Sequence, residues 1–356
     1  MARRSRPARL LGSGLVATGL LLVLAGCSEL FTGGPMTTVE PKTGDFGPAI
    51  QNIYVLVWWL SVFVFVVVEG ALIYAVFRYR RRPGQDIPAQ LHGNTRLEIA
   101  WTIAPALVLV LIAVPTVRTI FETQAVPPSL NVTGDPLQPA KALRVKAIGH
   151  QWWFEFQYPE LGITTANELH VQQGQTVYFD LESADIIHSF WFPNMGGKRD
   201  MIPNRTNHLW FTPTVAGRFL GQCVEFCGAS HANMRMVLYV HAPADFKAWV
   251  DNQKQAAAAP AAGTGAAHGA QLFVQKGCAG CHTIEGVPAA VGKQGPSLSH
   301  FGNRSTVAAG MAENTAENLA RWLRNPQAFK PGALMPNLGL NEDEIAALSE
   351  YLLSLK

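Results

Sequence analysis

One short stretch of the sequence gathers four side chains with sulfur or imidazole donor atoms: Cys223, Cys227, His231 and Met234. Thiolate, thioether and imidazole groups bind copper in preference to magnesium, calcium or manganese. Two cysteines this close together can also bridge two metal ions, which a single cysteine cannot do. Gly221 and Gly228, with predicted strands on both sides, favour a loop whose side chains can turn towards one centre. The stretch therefore predicts a copper site for electron transfer.

Two other interpretations of this loop are weakened by the same residues. A disulfide between Cys223 and Cys227 would leave His231 and Met234 without a role. Zinc makes little use of a thioether, and structural zinc sites usually draw cysteine and histidine from paired knuckles. The loop lacks a second imidazole, for which His188 in a preceding apolar segment is the best candidate. A histidine buried in the core is the alternative interpretation of that residue.

A second redox motif, Cys278-Ala-Gly-Cys281-His282, has the spacing of a covalent c-type haem attachment site. The cysteines would form thioethers with the haem, and His282 is placed to bind the iron. A thioredoxin-like cysteine pair or a zinc knuckle would each need a sequence context that is missing around the motif. Met335, which lies beside a proline before the last predicted helix, is the expected second axial ligand, with Met311 as its competitor.

The cysteine count and the charge narrow the class of protein. The chain has 356 residues, which is room for two or more domains, and its net charge of +3 is too small to predict nucleic-acid binding. Of the 5 cysteines, all but Cys27 belong to the two motifs above. No pair is left over for a structural disulfide, so the cysteines are expected to serve chemistry.

The first residues carry export and anchoring signals. Residues 1–26 have a basic start followed by an apolar run, as in a signal peptide. The segment Leu24-Ala-Gly-Cys27 resembles a bacterial lipobox, in which the cysteine is acylated and becomes the new N-terminus. An ordinary signal or an uncleaved anchor is the alternative. The polar residues that follow, up to residue 50, are expected to form a tether.

Two apolar runs, at about 53–77 and 99–117, are long enough to cross a membrane as a helical hairpin. The basic cluster Arg78–Arg82 lies between them, which places this loop in the cytoplasm and both ends of the hairpin outside. Glu69 is expected to face a protein partner or a polar cavity, or to be a neutral carboxyl at a helix contact. Glu98 begins the second helix as an interfacial charge or a partner of the helix dipole.

The remaining sequence predicts a β domain followed by a helical one. Short runs of strand composition are separated by turn residues and predict a sandwich or barrel: 143–148, 176–181, 208–211 and 234–240. Asn341 followed by Glu344 predicts the start of a last helix. We therefore expect a multidomain chain with a signal peptide at 1–26, a tether at 27–50, a transmembrane hairpin at 51–122, an all-β sandwich at 123–252, an Ala-rich linker at 253–269 and an all-α domain at 270–356.

The order of these motifs resembles subunit II of the haem–copper cytochrome c oxidases, with a class I cytochrome c domain fused at its C-terminus. The resemblance is carried by Cys223-x-Glu225-x-Cys227-x-x-x-His231-x-x-Met234, by Asp185-x-x-His188 and Gln151-Trp152-Trp153 upstream, and by the hairpin before them. It covers nearly the whole chain. It implies a cupredoxin-like sandwich that holds a binuclear copper centre, CuA.

The resemblance also implies roles for individual residues. In copper binding it implies Cys223 and Cys227 as bridges, His188 and His231 as ligands to one copper each, and Met234 and the Glu225 backbone carbonyl as weak ligands. The Glu225 side chain would reach a magnesium ion at the contact with subunit I. Trp152 matches the aromatic residue implicated in electron input, and Glu98 the acidic residue at the mouth of a proton channel. Pro296 resembles the proline whose carbonyl orients the proximal histidine in class I cytochromes c.

The implied function is that of the electron-input subunit of a terminal oxidase. A soluble or membrane-bound cytochrome c, or a quinol–cytochrome c reductase, would reduce haem c. Electrons would then pass through CuA to a haem in subunit I, where oxygen becomes water. The complex would be a proton-translocating enzyme with subunits I and III in the bacterial cytoplasmic membrane, its copper and haem domains on the periplasmic side.

Three other functions are separated from this one by particular features. A copper-delivery or assembly lipoprotein is the main alternative, although a full ligand set beside a tethered haem fits it poorly. The copper module of nitrous oxide reductase shares the loop but has no membrane hairpin. A quinol oxidase subunit II has the hairpin and the sandwich but lacks Cys223 and Cys227.

Overall fold

The computed structural model describes residues 43–84, 90, 93–124, 137 and 141–356. The predicted signal peptide, the predicted lipidation site Cys27 and most of the predicted tether lie outside the described residues. Within them the chain forms a helical hairpin, a sandwich domain (residues 141–253) and a C-terminal domain (residues 265–356).

The hairpin consists of α1 (Gly47–Arg78) and α2 (Thr95–Gln124), which contact each other. Both helices are long and apolar enough to cross a membrane. They extend beyond the predicted bounds because an apolar run marks only the membrane core, while helical turns continue into the polar flanks. Glu98 lies in the first turn of α2, where its carboxylate accepts a hydrogen bond from the Asn94 backbone N–H at 3.3 Å. A carboxylate in the first turn can interact favourably with the helix dipole, which agrees with the predicted role of Glu98.

The N-terminal end of α1 is fixed to the sandwich domain. The Thr43 hydroxyl donates to the Asn194 carbonyl at 2.5 Å, and the Thr212 backbone N–H donates to Asp45 Oδ1 at 2.6 Å. The ring of Phe46 packs edge-on against a tryptophan of the sandwich at 4.5 Å. The N-terminal end of α1 and the sandwich domain therefore lie at the same end of the hairpin, which is compatible with the predicted topology.

The sandwich domain contains two main sheets, ordered β3-β2-β1-β5-β8 and β4-β10-β9, and a small pair β6-β7. The strands are β1 (Leu143–His150), β2 (Trp153–Tyr158), β3 (Ile163–Ala166), β4 (Glu168–Gln172), β5 (Val177–Ser183), β6 (His188–Phe190), β7 (Arg199–Met201), β8 (Asn207–Phe211), β9 (Gly217–Gln222) and β10 (Arg235–His241). The pairs β1–β5 and β4–β10 are parallel, and the others are antiparallel. The four predicted runs correspond to β1, β5, β8 and β10.

The core of the sandwich lies between the two main sheets and is rich in phenylalanine. The inward side chains of β1 alternate with outward ones, as expected for a strand with one buried face. Among its largest fully buried side chains are those of Tyr158, Phe154, Phe156 and Phe179. Helix α3 (Pro243–Gln253) closes one end with buried apolar side chains. Such a close-packed core gives the loops at the other end a stiff base.

The C-terminal domain is mainly helical. It contains α4 (Gly265–Gln275), the short strand pair β11 (Thr306–Val307) and β12 (Ala312–Glu313), α5 (Ala316–Arg324), α6 (Pro326–Phe329) and α7 (Glu342–Ser354). The predicted cap of the last helix is confirmed, because the Asn341 side chain accepts from the Glu344 backbone N–H at 2.9 Å and the Glu344 carboxylate accepts from Asn341 N–H at 3.1 Å.

The predicted linker, 253–269, is too long at its C-terminal end. Helix α4 starts at Gly265, and the Thr264 hydroxyl caps it by accepting from the Ala267 backbone N–H at 3.2 Å. Alanine and glycine at the start of α4 resemble linker composition but serve close helix packing. A methyl group at Gly269, for example, would collide with the main chain of α7 at Ala347.

Candidate metal centre and adjoining cavity

The predicted copper loop joins β9 to β10 at one end of the sandwich. Residues 223–230 have no regular structure, and a single 3-10 turn follows at His231–Asn233. The loop is closed at its base by a hydrogen bond from the Cys223 backbone N–H to the Met234 carbonyl at 2.9 Å. The prediction of a loop instead of a helix is confirmed.

The two cysteine sulfurs face each other at 3.7 Å, and each has an imidazole nitrogen beside it. His188 Nδ1 lies 3.9 Å from Cys223 Sγ, and His231 Nδ1 lies 3.5 Å from Cys227 Sγ. Both cysteines are free thiols, so the disulfide alternative is wrong for this structure. His188 is contributed by β6, which brings the second imidazole to the loop from an earlier strand.

Two weaker donors complete the group. The Met234 sulfur lies 3.9 Å from Cys227 Sγ, and the Glu225 backbone carbonyl oxygen lies 3.3 Å from Cys223 Sγ. The sulfur atoms are buried, whereas Glu225 and the neighbouring Phe226, 77% exposed, form the outer tip of the loop. The donors therefore face inwards and the tip faces away from the domain.

Asp185 holds His188 in place. Its Oδ1 lies 2.7 Å from His188 Nε2, which leaves Nδ1 directed at the cysteines. Burial alone would lower the pKa of His188, but the Asp185 hydrogen bond and the neighbouring Cys223 raise it overall. A carboxylate behind a metal-binding histidine fixes the orientation of the ring. Gly149 of β1 leaves room for that ring, since a methyl group there would lie 2.8 Å from His188 Cδ2.

The paired thiols also affect each other's ionisation. A hydrogen bond from Cys227 holds the pKa of the Cys223 thiol well below its usual range, against the opposing effect of burial. The same bond raises the pKa of the Cys227 thiol. One thiolate in the pair is thus stabilised by the other thiol, and a thiolate is the form that binds metals.

The donor set fits a pair of copper ions better than zinc. Two adjacent sulfurs can bridge two metals, while two imidazoles, a thioether and a carbonyl supply terminal ligands of the kind copper accepts. The structure brings together all six residues named from the sequence. Their roles as ligands remain predictions.

A cavity of about 480 Å³ lies between the C-terminal domain and the sandwich domain. Cys278, Cys281 and His282 line part of its wall. Trp322 and Met335, which come later in the sequence, line it as well. Its volume is in the range of sites that bury a large organic ligand. Thiols, an imidazole and a thioether around an apolar space fit a covalently attached haem.

His282 is held by its surroundings on two sides. Its Nδ1 lies 2.8 Å from the Pro296 carbonyl and donates to it, which is the contact that the resemblance implied and which leaves Nε2 as the nitrogen available to a metal. Burial lowers the pKa of His282, which favours the neutral ring that binds metals. Gly295 packs flat against the ring, where a methyl group would lie 2.5 Å from Cε1.

Replacing Met335 by leucine is expected to lower the reduction potential of haem c, whereas replacing Met311 by leucine is expected to leave it unchanged. Met335 lines the cavity, and Met311 is outside the lining found in the described residues. A methionine axial ligand raises the potential of a c-type haem. A redox titration followed by haem absorbance measures both variants. Equal potentials in the Met335 variant and the unsubstituted chain would exclude Met335 as a ligand.

Trp152 connects the cavity to the copper loop. Its indole ring lines the cavity, and its Nε1 donates to the Cys227 carbonyl at 2.8 Å. Gly228 accommodates the ring by adopting φ +104°, where a methyl group would lie 3.2 Å from Trp152 Cζ2. The residue predicted to mediate electron input is thus in contact with both candidate sites.

Some residues of this region have roles that the sequence patterns did not predict. His150, which belongs to none of the sequence motifs, stacks on Trp153 at 4.1 Å, and both line the cavity. Asp185 was part of a motif but had no role of its own. The contacts arise between distant parts of the chain, so composition and spacing carry no signal for them.

The fold and these two sites define a membrane-anchored electron-transfer protein with two redox domains. Residues 49–119 match the family described as cytochrome c oxidase subunit II, transmembrane domain, and residues 162–240 match its periplasmic domain. Residues 266–356 match the family described as cytochrome c.

Full-length relatives agree with these matches. The chain is 38% identical to cytochrome c oxidase subunit 2 of Alkalihalophilus pseudofirmus and 35% identical to that of Bacillus subtilis, over 95% and 94% of this chain and 95% of each relative. A crystal structure of the periplasmic domain of subunit II of cytochrome oxidase from Bradyrhizobium japonicum, 33% identical, covers 32% of this chain and 93% of its own, with a TM-score of 0.31. The chain belongs to the cytochrome c oxidase subunit II family and carries a C-terminal cytochrome c domain. It is a subunit of an oxidoreductase complex, and its family implies CuA and haem c.

Proposed function

We propose that this chain takes electrons from an external cytochrome c or quinol–cytochrome c reductase at its C-terminal domain. It then passes them through the copper loop to the oxygen-reducing subunit I. The observation that carries the proposal is the position of Trp152, whose ring lines the haem cavity while its N–H is bonded to the copper loop. When bound, haem c and CuA supply sites that each accept and release one electron.

Different side chains hold the haem and the coppers. Cys278 and Cys281 would attach the haem, and His282, oriented by the Pro296 carbonyl at 2.8 Å, and Met335 would hold its iron. The two loop cysteines and the imidazoles beside them would hold the coppers. Because the donors rest on a close-packed sandwich, they keep their positions when the charge of the site changes.

The exposed tip of the copper loop faces the partner subunit. Glu225 and Phe226 lie at this tip, and Glu225 contributes only its backbone carbonyl to the sulfur cluster. Its free carboxylate can bind a magnesium ion shared with subunit I, and Glu98 on α2 lies at the mouth of a proton channel there. The complex contains subunit III and lies in the bacterial cytoplasmic membrane with the two redox domains on the periplasmic side. A lipid on Cys27 adds a second anchor.

Burial of the sulfurs argues against the alternative of copper delivery. Cys227 has no exposed surface and Cys223 is 4% exposed. A transfer protein needs donors that a recipient can reach, and these are enclosed by the loop and the sandwich.

Replacing Trp152 by phenylalanine is expected to slow electron transfer from the haem site to the copper site. The variant removes one of the two donors to the Cys227 carbonyl, which keeps Gln151 Nε2 at 2.9 Å, and losing one such hydrogen bond costs about 0.5–1.5 kcal/mol. After rapid anaerobic mixing with a reduced cytochrome c, haem absorbance and the copper EPR signal follow the two sites separately. Trp249→Phe, in α3 and remote from the loop, is the control. A chain whose haem is reduced while its copper remains oxidised indefinitely would contradict the proposed function.

A further inference from the structure

Glu168 of the sandwich domain is buried against the C-terminal domain, with 2% exposed. Its Oε1 accepts four hydrogen bonds, from Ser305 N and Oγ at 2.8 Å each and from Thr306 N and Oγ1 at 3.1 and 3.3 Å. Burial lowers the pKa of the adjacent Arg304 to about 10, and the charge of Glu168 opposes this shift. In a different docked position this carboxylate would be buried without these donors, which is costly, so the contact favours one docked position.

Lys330 forms a second polar contact between the same domains. It is 3% exposed, and its ammonium donates to the Trp152 carbonyl at 2.6 Å and to the Ala308 carbonyl at 2.9 Å. Trp152 belongs to the sandwich domain, and Ala308 belongs to the C-terminal domain. The Lys330 side chain therefore links Trp152, which contacts the copper loop, to two segments of the C-terminal domain. One is its own segment, and the other contains Ala308.

The segment that receives Lys330 has an unusual backbone held by the same interface. Ala308 and Ala309 adopt φ +55° and +61°, in the left-handed region that alanine rarely occupies. The Ala309 carbonyl accepts a hydrogen bond from the Arg235 backbone N–H of β10 at 3.1 Å, and Ala309 packs with Trp153 of the sandwich. Such a conformation persists when surrounding contacts determine it. Specific contacts between the two domains therefore hold this backbone conformation in place.

The docked domain covers Trp152, which is only 8% exposed. A methyl group at Gly332 would lie 3.0 Å from Trp152 Cη2 and 3.0 Å from the methyl of Ala229 in the copper loop. The Ser230 hydroxyl of that loop donates to the Pro331 carbonyl. The segment 330–332 therefore lies directly over the tryptophan and the loop beside it.

We propose that Glu168 and Lys330 are positioning residues that dock the C-terminal domain on the sandwich domain in one fixed position, which holds the haem cavity against Trp152 and closes Trp152 to external donor proteins. The inference rests on the proposed function. It adds that an external donor recognises the C-terminal domain alone, because the tryptophan is covered.

Amide hydrogen exchange in the full chain within its oxidase complex tests the docking directly. The Arg235 amide bonds to Ala309 across the interface and to neither positioning side chain, so it reports undocking and not a local loss. In E168Q and in K330M its exchange is expected to accelerate on the order of tenfold, since each variant removes charge-assisted hydrogen bonds. The haem absorbance and the copper EPR signal are expected to stay unchanged, while copper reduction after haem reduction slows.

Two matched controls make the same changes away from the interface. E160Q removes a charge that pairs with Lys141 at 3.4 Å inside the sandwich domain, and K293M removes an exposed lysine of the C-terminal domain. Arg235 exchange in E168Q and K330M equal to that in the controls would overturn the inference. Loss of either cofactor signal would also overturn it, because a positioning residue leaves both sites intact. Failure of the proposed function would appear separately, as absent transfer in the unsubstituted chain.

Discussion

Replacing Cys227 by serine is expected to abolish the EPR signal of one electron shared over two coppers. Cys227 Sγ lies between three other donors, 3.7 Å from Cys223 Sγ, 3.5 Å from His231 Nδ1 and 3.9 Å from the Met234 sulfur. A hydroxyl is a poor substitute for a soft bridging thiolate. The variant should bind no more than one copper, with a mononuclear signal. Copper analysis and EPR of the purified full chain measure both properties.

Glu225→Gln is the matched control for the cysteine variant. Glu225 touches Cys223 through its backbone carbonyl at 3.3 Å, and its exposed side chain is free of the sulfur cluster. The control should therefore retain two coppers and the shared-electron signal. If Cys227→Ser still gave that signal, or if the unsubstituted chain gave only a mononuclear one, the bridging role would be wrong.

Replacing Gly295 by alanine is expected to displace His282 and disturb the haem site. The added methyl group would lie 2.5 Å from Cε1 and 2.8 Å from Nδ1 of the imidazole, in the space beside the Pro296 bond. Overpacking of a close-packed site costs typically about 1–3 kcal/mol. Because the ring cannot keep its hydrogen bond and its direction together, the haem absorbance and potential should change, and the thermal midpoint of the domain should fall.

Gly280→Ala provides the comparison within the same motif. A methyl group at Gly280 meets no atom of the described chain within 4 Å. This variant should keep the absorbance, the potential and the thermal midpoint of the unsubstituted chain. Equal behaviour of the two alanine variants would show that the close approach of Gly295 to His282 is without consequence for the haem site.

Features within one short stretch of sequence were predictable. The copper loop and the capping box at Asn341 each depend on residues a few positions apart. The structure contains both the loop and the helix cap. The four runs of strand composition also became strands. Other strands were not among the predicted runs, and β2 is one of them although its buried side chains alternate from Phe154 to Tyr158.

Contacts between distant segments could not be predicted from patterns. From the residues alone, His188 was a candidate metal ligand, and its role as a ligand was implied only by the family resemblance. The reason is that β6 and the copper loop are distant in the sequence and come together only in the folded chain. Glu168 and Lys330 each resemble ordinary strand or loop charges in the sequence. Their burial depends on how two domains meet, about which neither local composition nor spacing carries information.

The cavity wall shared by two domains has a thermodynamic consequence. Trp152 and Trp153 belong to the sandwich domain, yet they line the space that faces Cys278 and His282. A ligand held partly by this shared wall binds the docked form more tightly than the separated one, and so favours docking. Linkage is reciprocal, so docking strengthens the hold on that ligand by the same factor. Filling the cavity therefore also favours the docked arrangement in which the Trp152 indole donates to the Cys227 carbonyl.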